Sequence, residues 1–155
     1  MRIAVFSDSH KKVGGMVRAV DLEHPDVIFH LGDHQTDADK LHECFPDIPM
    51  YSVYGNCDLI TRGESRIIVE LAGKKIFAAH GHTYSVKLGL NSIINTAMTS
   101  GSDIVLFGHT HRALNTEYEG LIIMNPGASG LTGTYGMIII KDGKVIHEIR
   151  DIPME

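Results

Sequence analysis

Five times in 155 residues a short apolar run stops in a polar knot. Ile3–Phe6 runs into Asp8-Ser9-His10, Val27–His30 into Gly32-Asp33, and Met50–Tyr54 into Gly55-Asn56-Cys57-Asp58; Ile76–Ala79 runs into His80-Gly81-His82 and Ile104–Phe107 into Gly108-His109-Thr110-His111. Runs this short, rich in β-branched and aromatic residues, read as buried strands. In an open α/β sheet functional groups collect where strands end at their carboxyl termini, so five such strands can deliver all five knots to one crevice.

The segments between the runs support an α/β chain. Gly14-Gly15 precedes Met16, Val17, Ala19, Val20 and Leu22, whose helical spacing stops before Pro25, so the first two strands enclose a βαβ unit. Thr36–Phe45 reads as a second helix, with Thr36 as N-cap, acidic Asp37 and Asp39 behind it and Pro46 as the stop. Ile67-Ile68-Val69 and Ile76-Phe77-Ala78 flank Ala72-Gly73-Lys74-Lys75 as a hairpin, which makes the sheet mixed. Val86–Thr99 offers Leu88, Leu90, Ile93, Ile94, Ala97 and Met98 as one helix face closed by Gly101. Leu121–Met124, Met137–Ile140 and Val145–Ile149 read as strands, the last two joined by the Asp-Gly turn of Lys141-Asp142-Gly143-Lys144. With no repeat, linker or low-complexity segment, the expectation is one domain over residues 1–155. Two mixed β-sheets packed face to face with helices outside cover the apolar strands most simply.

Composition narrows the partners. A net charge of -5 disfavours long nucleic acid, while a locally positive centre could still receive a phosphate. Cys44 and Cys57 have neither the density nor the spacing of a disulfide framework, which fits a reducing cytoplasm. No run approaches the roughly 20 apolar residues of a membrane span, and Ile3–Phe6 is too short for a signal-peptide core. A soluble cytoplasmic protein is expected, with no membrane partner.

The knots carry metal chemistry. Asp8, His10, Asp33, Asn56, His80, His109 and His111 are more ligands than one ion needs and about what two ions sharing a carboxylate need. Asp8 and His10 are two apart and can chelate one ion from the loop past their strand. Asp33 is the candidate bridge, because a carboxylate has two oxygens where an imidazole cannot hold two cations. Asn56 can lend a neutral amide oxygen. Paired imidazoles such as His109 and His111 are costly to leave unmatched in a core. His80 and His82 repeat that spacing, with His80 favoured as ligand and His82 facing the substrate. Two carboxylates and neutral ligands around two divalent cations and a hydroxide leave the centre near about +1, which favours a phosphate ester over a neutral amide. His24, His30, His42 and His147 have structural readings, Lys11, Lys12, Arg62 and Arg112 read as solvated surface, and Cys44 reads as core packing; His34 sits between the two classes.

In this order the knots resemble the motifs of the calcineurin-like metallophosphoesterases, most of all their small single-domain phosphodiesterases, a branch that includes the retromer subunit of the same fold. The resemblance runs from Met1 to about Ser129. It implies a four-layer αββα sandwich and two transition-metal ions, manganese first, with nickel, iron, cobalt or zinc as alternatives. It assigns Asp8, His10 and His111 to one ion, Asn56, His80 and His109 to the other, and Asp33 to both. Cys57 stands where larger relatives carry a proton-donating His, as in the small branch, and cations beside a thiol are expected to ionise it. Asn125-Pro126-Gly127 matches a late motif of the family, with Ala128 in the place of the usual Ser and Ser129 next. The implied reaction is phosphodiester hydrolysis by a hydroxide held between the ions and attacking phosphorus in line, with Asp33, Asn56 and His82 at the reacting groups. The substrate expected is a small phosphodiester or nucleotide-like molecule, and a homo-oligomer is compatible. The alternatives are an inactive or weakly active interaction scaffold of the same fold, and a phosphomonoesterase or protein phosphatase.

Overall fold

The computed structural model describes residues 1–155. Each apolar run before a knot is a strand: β1 (Arg2–Phe6), β2 (Val27–His30), β3 (Met50–Ser52), β5 (Lys74–Ala79) and β6 (Ile104–Leu106). The first three share a sheet with two late strands, β9 (Thr134–Lys141) and β10 (Lys144–Asp151), in the order β10-β9-β1-β2-β3. β4 (Arg66–Leu71), β7 (Leu114–Tyr118) and β8 (Leu121–Asn125) complete a second sheet, β4-β5-β6-β8-β7. In the first sheet β1, β2 and β3 run parallel out to the β3 edge and β9 pairs antiparallel with β1 and β10 on the other side; in the second, β5, β6 and β8 run parallel between antiparallel β4 and β7, so both sheets are mixed.

Ile3, Val5, Phe29 and Leu31 of the first sheet meet Ile76, Ala78, Ile104 and Leu106 of the second in a dry core. The outer faces take the helices. Met16, Ala19 and Val20 of α1 (Val13–Glu23) and Leu41 of α2 (Gln35–Cys44) cover Ala4, Phe6 and Ile28, while Ile93 and Ala97 of α3 (Asn91–Thr99) cover Phe77, Val105 and Phe107. The layers are αββα, which makes the near-continuous apolar runs intelligible, since every central strand is buried on both faces. No helix is long and apolar enough to cross a membrane.

Four local expectations need correction. The helix expected over Val86–Thr99 begins only at Asn91. A 3₁₀ turn (His82–Tyr84) and left-handed Ser85 precede it, Gly89 has φ +156°, and Leu88 is 92% exposed. Thr36 is not the cap of α2; the cap position is His34, and the Gln35 N–H finds the carboxylate of Asp58 instead. Cys44 is exposed at the end of α2 and fills no core. β7 was not anticipated, because Leu-Asn-Thr-Glu-Tyr is an edge strand whose burial is slight and whose alternation is correspondingly weak.

Candidate metal centre

The five knots meet at one end of the sandwich, three from the first sheet and two from the second. The backbone there departs from ordinary conformations: Asp8 (φ 53°), His10 (46°), Asp33 (56°), His109 (70°) and His111 (61°) all lie in the left-handed region. Non-glycine residues seldom adopt it, and where they cluster the surrounding structure holds them against a local cost of order 1–3 kcal/mol each. Here the restraint is a lattice of backbone hydrogen bonds between loops. The Asp8 N–H donates to Gly32 O (3.1 Å), the Gly108 N–H to His80 O (2.9 Å) and the Ser129 N–H to Ser7 O (3.0 Å). Gly55 packs so tightly on Asp33, and Gly108 on Ser7 and Asp8, that neither position has space for a Cβ.

Donor atoms of Asp8, His10, Asp33 and His111 all lie within 4.8 Å of one another. The His111 Nε2 is 3.2 Å from Asp8 Oδ1, and the His10 ring centre is 5.1 Å from that of His111. Asn56, His80 and His109 form a second group beside the first. His80 Nε2 lies 3.1 Å from Asn56 Oδ1 and 3.5 Å from Asp33 Oδ1, and the His80 and His109 ring centres are 5.0 Å apart. Asp33 touches both groups. His82 flanks the second, 5.5 Å from His80 and 6.3 Å from His109 by ring centres.

The donor set has a chemical gap that a cation fits. The buried His80 Nδ1 is 2.7 Å from Leu31 O, which can only accept, so Nδ1 carries the hydrogen. In the neutral ring Nε2 then presents a lone pair to Asn56 Oδ1, Asp33 Oδ1 and, at 3.9 Å, Asp8 Oδ1, all oxygens. Asp8 Oδ1 and His10 Nε2 are buried without hydrogen-bond partners. Orphaned acceptors facing one another are costly in a protein interior, and a divalent ion is the partner that satisfies them together.

Protonation states agree with ligand duty. Burial lowers the pKa of His10, helped by His34 and His111. It lowers His82 and His109 too, each with help from His80. Burial pushes Asp33 up, but His80 and the Cys57 N–H outweigh it, and the net shift is downward. Neutral imidazoles and an ionised carboxylate are the forms that bind metal. Burial, then Asp33, raise the Cys57 thiol in the chain itself, whereas bound cations are expected to act in the opposite direction.

A supporting layer holds these groups. The Asp58 carboxylate accepts three backbone N–H groups, from Asp33 (3.1 Å), Gln35 (2.7 Å) and Gly55 (2.7 Å). Asp37 accepts the Ser9 hydroxyl and the Lys11 N–H, both at 2.7 Å, and Ser9 Oγ lies 3.1 Å from His30 Nε2. Asn125 donates to Gly108 O and Thr110 Oγ1, bracing the loop that carries His109 and His111. Ser129 donates to Ser7 O through both backbone and hydroxyl, so the late loop is tied to the first knot with Ala128 buried beside it. From sequence alone Asp37 is an acidic residue in the first turn of a helix and Asp58 the last residue of the third knot, and neither position signals a bracing role at the centre. His34 is close to His10, with ring centres 5.0 Å apart. His24 and His42 are exposed away from the centre, and His147 pairs with Asn115 and Glu117 between β10 and β7.

Comparison with known proteins places the chain by family and by fold. The model of the calcineurin-like phosphoesterase superfamily domain matches residues 1–142. The chain is 28% identical over 180 aligned positions to a phosphodiesterase of Methanocaldococcus jannaschii, with 100% of both chains covered. Among solved structures, a predicted phosphoesterase from Streptococcus pneumoniae superposes with a TM-score of 0.83 at 24% identity, over 97% of this chain and 88% of that one. Vacuolar protein sorting 29 from Cryptosporidium parvum superposes at 0.76 with 15% identity, over 97% and 96%, a likeness of fold.

Proposed function

We propose that this chain, which belongs to the calcineurin-like phosphoesterase superfamily, is a metal-dependent phosphodiesterase acting on small phosphodiester or nucleotide-like substrates. Asp8, His10 and His111 would hold one divalent ion, Asn56, His80 and His109 a second, and Asp33 both, with manganese the first choice and nickel, iron, cobalt or zinc the alternatives. Bound there, such ions would lower the pKa of water and neutralise charge on the phosphoryl oxygens. The observation that carries the reading is the set of buried acceptors, His80 Nε2, Asp8 Oδ1 and His10 Nε2, facing oxygens and one another around Asp33.

The chain's own residues then have distinct tasks. Leu31 O fixes the His80 tautomer and ring plane, as the outer partner of a metal-binding imidazole does. Asp33 accepts the Cys57 N–H and stays ionised, and its negative charge would keep a loaded centre only slightly positive, so that a phosphate is attracted and its products can still leave. In hydrolysis the oxygen of water bonds to phosphorus, the bond from phosphorus to one arm's oxygen breaks, and the proton of water ends on that oxygen. His82, whose pKa burial lowers and whose ring flanks His80 and His109, is suited to donate a hydrogen bond to a phosphoryl or departing oxygen. Cys57, held protonated by burial and Asp33 in the chain itself, offers only a weak donor at the neighbouring position.

An interaction scaffold, the reading favoured by the likeness of fold to vacuolar protein sorting 29, leaves these unpaired donors without a purpose. The decisive test is one purified, metal-quantified sample assayed with manganese on matched phosphomonoester and phosphodiester panels. Diester turnover abolished by chelator is expected. Hydrolysis of monoesters alone, or of neither, would overturn the proposal.

A further inference from the structure

Two hollows flank the centre, and their chemistry differs. On the α2 side a hollow of about 540 Å³ contains Lys11 and Arg62 against Asp39 and Asp58, and Arg62 is paired with Asp39, so its formal charges cancel. On the α3 side a hollow of about 620 Å³ has half-buried Leu90 and Leu114, with buried Phe107 behind them, in an apolar wall and Lys87 and Arg112 as its only formally charged lining groups. Neither cation has an acidic partner anywhere in the chain. Thr110, which stands between His109 and His111, forms part of the same wall and is braced by Asn125 at 2.9 Å, so this hollow adjoins the loop that carries two of the candidate ligands.

Two unpaired cations over an apolar wall match a group that is flat and apolar at one end and anionic at the other. The phosphate that reacts occupies the centre, so the anion facing Lys87 and Arg112 is a second one. We propose that the α3-side hollow binds one arm of the diester, seating a nucleoside against Leu90 and Leu114 and a further phosphate on that arm between Lys87 and Arg112. The substrate class is then a short phosphodiester with a terminal phosphate, of which a 5′-phosphorylated dinucleotide is the simplest member. This rests on the phosphodiesterase reading and sharpens it.

The test compares diadenylate carrying a 5′-phosphate with diadenylate lacking it, using full-length, manganese-loaded protein, with bis(p-nitrophenyl) phosphate as an independent measure of diesterase chemistry. The phosphorylated dinucleotide should have the higher kcat/KM, by about tenfold for two exposed charge contacts. Lys87→Ala and Arg112→Ala should each reduce that ratio, and the double variant should bring it close to one. Lys11→Ala, on the charge-balanced side, should leave the ratio where it stands. Both side chains are exposed, and the ratio is internal to each variant, so a partial loss of folded protein does not alter it. A ratio near one in the wild type, or one that survives the double variant, overturns the subsite while bis(p-nitrophenyl) phosphate turnover keeps the diesterase reading; no turnover of any diester removes the reading on which both stand.

Discussion

A carboxylate that touches two groups of donors is the residue whose loss should be felt twice. Asp33→Asn keeps the shape and removes the charge and one oxygen. Elemental analysis after manganese loading should fall from two ions per chain to one or fewer, and diester kcat/KM by at least about 100-fold. Two ions retained by the variant would assign the bridge elsewhere. Asp58 makes a different prediction, because its carboxylate reaches no candidate donor and serves three backbone N–H groups. Asp58→Ala leaves those donors to water or to nothing, and should lower the urea stability by about 2–4 kcal/mol while loosening the Asp33 and Gly55 backbones together. An unchanged midpoint would mean that solvent replaces the carboxylate without cost. The type and order of the candidate ligands were readable because each knot follows an apolar run. Asp58 was not, since nothing in Gly55-Asn56-Cys57-Asp58 says that its one acidic group turns inward or which backbone it meets.

Between elements, a buried latch joins the first knot to β2 and the first turn of α2. His30, at the end of β2, lies against Ser9, whose hydroxyl donates to Asp37. Burial holds the His30 pKa down at about 4, against an ordinary 6.5. A histidine depressed in the folded state binds its proton more readily when unfolded, so stability is full above about pH 6.5 and falls as pH drops from there towards 4. His10, His82 and His109 are shifted in the same direction and add to the same slope. In metal-free protein, urea titrations between pH 7 and pH 4.5 should lose stability, with His30 alone contributing about 3 kcal/mol at the full shift. His30→Gln should start lower and show a shallower slope; an equal slope would place the titration elsewhere. The strand carrying His30 was legible as an apolar run, but the latch was not, because a histidine inside such a run looks the same whether it packs or bonds. The late start of α3 has a related cause: Leu88 fits the helical spacing by residue type, while left-handed Ser85 and the open Gly89 break the backbone before it.

For the whole molecule, Glu23 at the end of α1 fastens three strands. It receives the Tyr135 hydroxyl of β9 at 2.6 Å, Arg150 of β10 at 2.7 Å and Arg2 of β1 at 2.6 Å. Burial pushes its pKa up, yet Tyr135 and the two guanidinium groups prevail and hold it below 4.5. Both arginines keep roughly a third of their side-chain surface in water, so the buried Tyr135 bond and the carboxylate itself carry most of the effect. Glu23→Ala should cost about 2–4 kcal/mol at pH 7. Because the folded pKa is depressed, that contribution exists above the unfolded value and fades as pH falls through the folded one, so the gap between wild type and variant should narrow at pH 3.5. A gap of equal size at both pH values would rule out ionic pairing as its source. At this scale the division between sequence and structure is physical. Local apolar pattern determined five strand-and-knot units, the mixed sheets they build and the metal-binding character of their ends, because burial and turn chemistry act over a few residues. Only the tertiary structure decided that the knots divide between two sheets and close on one another at the end of the sandwich. The His109 N–H reaches Asp8 Oδ2 at 3.2 Å across 101 residues of chain, and His80 reaches Leu31 O across 49. Contacts of that span follow from how two sheets stack, which no periodicity within a strand encodes.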